Sequence, residues 1–281
     1  MRIIVLTAIS LLFCLISAAQ VKSVRVIAPE LPVLENSMFE CVYSHIEYDA
    51  DLDRDNCKDE ILQLGRNYGC FMPYGTYKSD SVVQSMDKNA RNALTFTQLN
   101  NNVHVVYGWG GYDWILFDLK GQSLSHVVGR SGGRYEEAMP AQEWEFLEDE
   151  ATFMGYKCRK ARCTFRGCEW TAWYCPEIKL PYGSWKLRGL PGFILAASDS
   201  TGVQTYTAIG LRTKPTPIYM SRRHGEVRLM KREDCARVVK DICFTACKPA
   251  WERYNEDSVN FPRPALKHLY YVPHELDMNL E

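Results

Sequence analysis

Between Tyr156 and Cys175 apolar and polar residues alternate through two runs separated by Arg166-Gly167, and this alternation constrains the fold more than any other stretch of the chain. A strand sorts successive side chains onto opposite faces. Ala161, Cys163 and Phe165 therefore share one face of the first run, and Cys168, Trp170, Ala172 and Tyr174 share one face of the second. Only even shifts of register keep those two apolar faces together. A two-residue loop sets Phe165 against Cys168 and Cys158 against Cys175, at a position where side chains approach closely; a four-residue loop sets Cys163 against Cys168 instead. Arg-Gly fits neither favoured two-residue turn well, so both registers stay open. On the polar face Lys160 and Arg162 lie near Trp173, a setting for solvated basic residues beside a packing indole or for a cation–π contact.

Much of the remaining chain reads the same way, as short strands punctuated by turns. Val103 to Tyr107 is β-branched and aromatic, Tyr112 to Asp118 is aromatic-rich, and Lys120-Gly121 leads into Leu124 to Val128, the pattern of a meander. Phe193 to Ser198 and Val203 to Ile209 flank Asp199-Ser200-Thr201-Gly202, whose residues favour a hairpin tip. Helical spacing occurs over Cys235, Val238, Val239, Ile242, Ala246 and Cys247, ended by Pro249. A shorter helix is expected after a cap at Ser79-Asp80. Arg130 to Pro140 is the best loop candidate, and the tail from Phe261 is expected to be extended or irregular. The expected fold class is mainly β, a β-rich α+β fold: an antiparallel sheet of hairpins and meanders, with a half-barrel as one form, and one or two helices.

The N-terminus places Arg2 before an apolar run from Ile3 to Ile16 and then Ser17-Ala18-Ala19, the order of a secretory signal peptide. The run is shorter than a bilayer span requires, so cleavage is expected after Ala19, with residues 20–281 forming the exported β-rich domain. Cys14 follows Phe13 inside the run, which does not fit a lipid-attachment site. The formal net charge is −1, or −2 once Arg2 is lost with the leader. A chain with that balance has no strong counterion-release term to drive nucleic-acid binding. With 46% hydrophobic residues it can bury a substantial core, as one large or two small domains.

Ten of the 11 cysteines lie beyond the leader, in three groups: Cys41, Cys57, Cys70; Cys158, Cys163, Cys168, Cys175; and Cys235, Cys243, Cys247. If all ten pair and the middle four pair among themselves, at least one bridge joins the outer groups. None of the spacings is the C-x2-C of a zinc site, so disulfides are the expectation, at least three of them with one inside the 158–175 hairpin.

The ordered blocks Glu-Trp-Glu-Phe, Gly-Tyr-Lys-Cys-Arg-Lys-Ala, Phe-Arg-Gly, Trp-Thr-Ala-Trp-Tyr, Glu-Ile and Trp-Lys-Leu-Arg-Gly-Leu-Pro-Gly-Phe-Ile-Leu, spread over residues 144–195, resemble the GLPGLI family of exported Bacteroidetes proteins. Weaker similarity runs through Leu62-Gln63-Leu64-Gly65-Arg66 and Phe71, and reaches to His274-Glu275-Leu276. Phe193 stands where the family name has leucine, and Cys168 and Cys175 depart from the family pattern, which favours their bonding within the hairpin. The resemblance implies a periplasmic or outer-membrane-associated protein with no established reaction, and it carries over no catalytic residue. The family tetrapeptide Gly189-Leu190-Pro191-Gly192 has a structural reading: proline presets the second position of a β-turn over Leu190 to Phe193, Gly192 supplies the positive φ of a type II turn, and Gly189 allows close backbone approach.

No chemical constellation stands out. The histidines at 45, 104, 126, 224, 268 and 274 are scattered and form no zinc-protease helix motif; Gly129-Arg130-Ser131-Gly132-Gly133 has the G-x-S-x-G spacing of a nucleophile elbow but is read as a loop and not as a nucleophile. Asp49, Asp51, Asp53 and Asp55 alternate as calcium ligands do but lack the loop glycine. No catalytic residue, metal or cofactor is assigned. Trp109, Trp114, Trp170, Trp173 and Trp185 are assigned mostly to the core. The leading functional reading is a non-enzymatic binding or outer-membrane accessory protein whose partner is an envelope transport or assembly protein. The alternatives are a lipid or peptide carrier with a half-barrel cavity and an uncharacterised hydrolase.

Overall fold

A computed structural model describes residues 30–49, 54–87, 98, 101–103, 106, 113–129, 131–221 and 224–241. The signal peptide, Trp109, Asp51, Asp53 and the tail from Phe261 lie outside these residues. Fourteen strands are arranged as β1 (Val33–Asn36), β2 (Phe39–Asp49), β3 (Arg54–Leu64), β4 (Tyr68–Pro73), β5 (Trp114–Asp118), β6 (Ser123–Val128), β7 (Gly133–Ala138), β8 (Glu145–Phe153), β9 (Tyr156–Phe165), β10 (Cys168–Cys175), β11 (Phe193–Asp199), β12 (Gln204–Arg212), β13 (Pro217–Tyr219) and β14 (Arg228–Leu229), with helix α1 (Tyr74–Ser85) after β4. Twelve of them form one sheet in the order β14-β7-β6-β5-β4-β3-β2-β12-β11-β10-β9-β8. Every pairing in it is antiparallel except β14 with β7. β1 and β13 make a separate two-stranded ribbon.

The central hairpin takes the two-residue loop. Phe165 faces Cys168, and both loop residues have positive φ, 54° at Arg166 and 77° at Gly167. That is the sense of a type I′ turn, whose twist matches its strands. Phe165 on the apolar face is buried, and Arg166 at the turn bonds to Glu137 of β7, so packing and an ion pair hold an arginine in a conformation it seldom adopts alone. The hairpin Phe193–Asp199 with Gln204–Arg212 also forms, its tip held by the Asp199 carboxylate, which accepts from Thr201 Oγ1 and the Gln204 amide.

The sheet curls without closing. One face gathers Tyr43, Leu62, Phe71, Ile115 and Tyr135 from one half of the strand order into the same core as Ala161, Phe165, Trp170, Ala172 and Tyr206 from the other. β7 and the β9–β10 turn lie far apart in the strand order yet meet through the 2.5 Å contact of Arg166 with Glu137. The segment between β10 and β11 runs across this inner face and buries Trp185, Leu187 and Leu190 in it. The outer face has a smaller core of Ile61, Cys70, Met72, Trp114 and Val127, covered by Tyr77 of α1 and Ile218 of β13.

Several expectations need correction. Residues 101–103 and 106 are helical, not strand, because β-propensity over five residues is overridden by context. Arg130 to Pro140 is not a loop: β7 occupies Gly133–Ala138 and pairs with β6 along its length, turning inward Tyr135 and Glu137. Helix α1 begins after Pro73, whose ring cannot continue a helix backwards, so Ser79 and Asp80 lie inside it and do not cap it. Residues 232–241 are helical as expected, with Cys235 buried; Ile242 to Cys247 lie outside the described residues.

The glycines of Gly189-Leu190-Pro191-Gly192 exchange roles. Gly189 has φ +93°, a conformation that suits glycine, while Gly192 does not have a left-handed φ. A Cβ at Gly192 would lie 2.2 Å from the Cys175 carbonyl oxygen, so the second glycine is required by close backbone approach. Leu190 to Gly192 are bends, and the hydrogen-bonded turn is instead Ser184 to Leu187.

Candidate functional site

Two polar clusters sit on the inner face, where side chains are otherwise apolar. The first is built by neighbouring strands. His45 of β2 shares the side of the sheet taken by Cys41 and Tyr43, four and two residues before it, and the register brings Tyr206 of β12 directly opposite. The imidazole stacks on Tyr206 with centroids 4.0 Å apart and planes at 18°. Its Nδ1 lies 3.1 Å from Glu60 Oε2 of β3, and its Nε2 lies 2.5 Å from Gln204 Oε1 of β12. Lys58 extends the cluster outward to Glu47 and Glu60 at 3.8 and 3.9 Å. His45 is 0% exposed. Burial pushes the Tyr206 hydroxyl well above the usual phenol range, and the carboxylates of Glu60, Glu47, Asp113 and Asp199 push it further, so Tyr206 remains a neutral phenol.

The second cluster closes the curl of the sheet. Lys186, from the segment between β10 and β11, has a fully buried side chain whose ammonium donates to Tyr135 Oη of β7 and lies 3.4 Å from Glu137 Oε1. The ammonium also stands 4.9 Å from the Tyr135 ring centroid and 5.3 Å from that of Trp185. Tyr135 Oη is 3.0 Å from His126 Nδ1. Trp185, beside Lys186, has φ +52°, unusual for a bulky residue, and stacks on Trp170. A third network on the outer face surrounds Glu40, which accepts from Ser37, Gln63, Thr216 and Arg212 and so ties the β1–β13 ribbon to the sheet.

A general base or nucleophile needs an atom within hydrogen-bond reach of its substrate. The Nε2 of His45 is hydrogen-bonded to Gln204, its Nδ1 faces Glu60, and the ring is enclosed. The Lys186 ammonium is enclosed as well, directed at Tyr135 and Glu137. What these arrangements do is fasten strands: the first joins β2, β3 and β12, and the second joins β7 to the β10–β11 segment. A buried charge is tolerated only when paired and hydrogen-bonded, and the Lys186 ammonium is held in that way by Tyr135 and Glu137.

Of the residues singled out from sequence, Leu190 is buried in the inner core, Gly189 packs beside Trp144, and Pro191 is exposed. The indole Nε1 of Trp144 donates to the Arg188 carbonyl, so the residue before the tetrapeptide is anchored to the segment that leads into β8. Cys158, Cys163, Cys168 and Cys175 are brought together as buried residues of one hairpin, but all are free thiols, as are Cys41, Cys57, Cys70 and Cys235. The expected hairpin bridge is therefore not formed in this structure, nor are three bridges among the described cysteines. Cys163 faces Trp170 and Cys168 faces Phe165, so the central pair is diagonal. Cys158 lies near enough to Cys175 for that residue to raise its thiol, whose burial already pushes it up, to about 11. Among the described residues no group of three or more His, Cys, Asp or Glu is placed to hold a metal ion.

His45, Glu60, Gln204, Lys186 and Tyr135 were not joined by sequence reasoning. His45 was legible only as a polar residue in step with Cys41 and Tyr43. Its hydrogen-bond partner Gln204 lies 159 residues away, and strand order, which sequence does not display, sets those pairings.

No family model matches the chain, and no curated protein matches it in sequence. Among solved structures it is similar to PNGF-II, at 11% identity and a TM-score of 0.46 over 73% of this chain and 32% of that one. It is also similar to an uncharacterized conserved protein from Thermus thermophilus, at 5% identity and 0.32 over 69% of this chain and 90% of that one. A third similarity is to a putative outer membrane lipoprotein-sorting protein domain from Vibrio parahaemolyticus, at 8% identity and 0.25 over 70% and 88%. The chain spans about a third of the length of PNGF-II. At these scores the likenesses carry no argument about activity.

Proposed function

We propose that the chain is an exported cell-envelope protein of the GLPGLI kind that acts by binding, as a partner or accessory of an outer-membrane transport or assembly protein. The observation that carries this reading is the enclosure of the groups best suited to chemistry: His45 and Lys186 are locked into strand-fastening contacts. The signal-peptide pattern and the family resemblance support export. Among the described residues no helix is long and apolar enough to cross a membrane. The carrier reading has less support, because Trp170, Trp185, Tyr206 and Leu190 fill the concave face where a lipid would lie.

The test is capture of the tagged protein from native envelope fractions, with mass spectrometry of co-purifying proteins and extractable lipids. A single stoichiometric outer-membrane protein is the expected result. A stoichiometric lipid with no protein partner would move the assignment to carriage, and hydrolysis of an ester or peptide panel that is lost in His45→Gln would overturn the binding reading.

A further inference from the structure

The structure points to a place where such a partner attaches. Strand β8 is the last in the sheet, bonded to β9 on one side and to no described strand on the other. Alternate backbone N–H and C=O groups of an antiparallel edge strand face away from its neighbour and are free to pair with an added strand. β8 is also exposed on both faces over most of its length, with Phe146 at 59% exposure. It is an edge strand that buries little of either face.

Its side chains specify the occupant. Glu145, Glu148, Asp149 and Glu150 are exposed on β8, with Glu143 just before it. The strand that β8 already binds is their complement: β9 sets Arg162 against Glu145 at 2.7 Å, Lys160 near Asp149 at 3.6 Å and Arg159 against Glu150 at 3.8 Å. A second copy of β8 would bring acids against acids, which disfavours self-pairing. The register also shifts between Phe146 and Glu150, so Glu148 lies in a bulge outside the β8–β9 ladder with its side chain exposed. We infer that the open edge of β8 takes up an extended, Lys/Arg-rich segment of a partner protein by strand addition, with backbone bonds giving affinity and Glu143 and Glu148, which form no ion pair with β9, selecting a basic strand. This rests on the binding reading above and names the chemistry of the partner.

The probe is a synthetic peptide carrying the Tyr156–Phe165 sequence with Cys158→Ser and Cys163→Ser, titrated into the full chain at low salt. Binding is expected, with new amide protection confined to Glu145–Phe153. Affinity should fall about tenfold or more when the peptide's basic residues are replaced by glutamate, and comparably in Glu148→Lys. Glu148→Pro, which removes a donor outside the β8–β9 ladder, should weaken binding while Glu148→Gln retains most of it; circular dichroism confirms that each variant is folded. Absence of binding by the folded protein, equal binding of the acidic peptide, or protection elsewhere than β8 would overturn the inference, as would a dimer abolished by Glu148→Lys. If envelope capture returns the same partner with wild type and Glu148→Lys, the binding reading stands and the edge assignment falls. If the peptide binds β8 while capture returns no protein, the edge assignment stands and the accessory role falls.

Discussion

Strands β10 and β8 lie on either side of β9, yet they belong to different physical regimes. β10 alternates buried and exposed residues and packs Trp170, Ala172 and Tyr174 into the inner core. β8 pairs with the same neighbour and buries little, chiefly Phe153 against Trp173: its ion pairs with β9 are solvent-exposed, and such pairs contribute about 0–1 kcal/mol each. Pairing with a neighbour makes a strand, but burial of one face makes it contribute to stability. A strand retained without burial is available for contact with something else.

That difference sets how far substitutions should reach. The largest effect is expected next to β10, at Gly192. A valine there forces its Cβ to within 2.2 Å of the Cys175 carbonyl oxygen, and the backbone of β10 or of the incoming β11 must shift. Urea unfolding of Gly192→Val should show a loss on the order of 4 kcal/mol. A loss below about 1 kcal/mol, with partner binding abolished, would make the tetrapeptide a recognition site. Leu190→Ala comes next: the side chain is 1% exposed in the inner core, so truncation should cost about 3 kcal/mol in the same assay.

The thiols sharpen the comparison in another way. Cys163 is held in the inner core, where burial pushes its thiol up to about 12, while Cys57 on β3 is exposed. Because the thiolate is the reactive form, a neutral-pH disulfide reagent should lose one fast-reacting equivalent in Cys57→Ser and none in Cys163→Ser. A fast equivalent lost in Cys163→Ser would mean that the hairpin opens in the native state. The smallest effect belongs to β8: Phe146→Ser should change stability by less than about 0.5 kcal/mol, because that ring is largely solvent-exposed already. A loss above about 2 kcal/mol in the same urea series would place β8 in the core regime.

The same division governs what the sequence disclosed. The 156–175 hairpin was legible because one of its faces is buried, and burial writes a period of two into the residues. Its loop remained ambiguous because Arg166 adopts a positive φ under constraints from Phe165 and Glu137 that arise only in the folded sheet. β8 leaves no such trace, since a strand exposed on both faces has no reason to alternate. The tetrapeptide disclosed that glycines are needed, but which glycine serves conformation and which serves close approach depends on where the Cys175 carbonyl falls. The His45 and Lys186 clusters were the least legible: each is assembled across strands whose order in the sheet departs from their order in the chain.

The contrast between a core hairpin and an open edge is tested most directly by native-state amide hydrogen exchange along Glu145–Phe153 and Cys168–Cys175 of the same protein. In β10 the amides between β9 and β11 should exchange only on global unfolding, while alternate amides of β8, those directed away from β9, should exchange orders of magnitude faster. Uniform protection of β8 at the level of β10 would contradict the open edge and, with it, the division between a strand that builds the core and one left to bind.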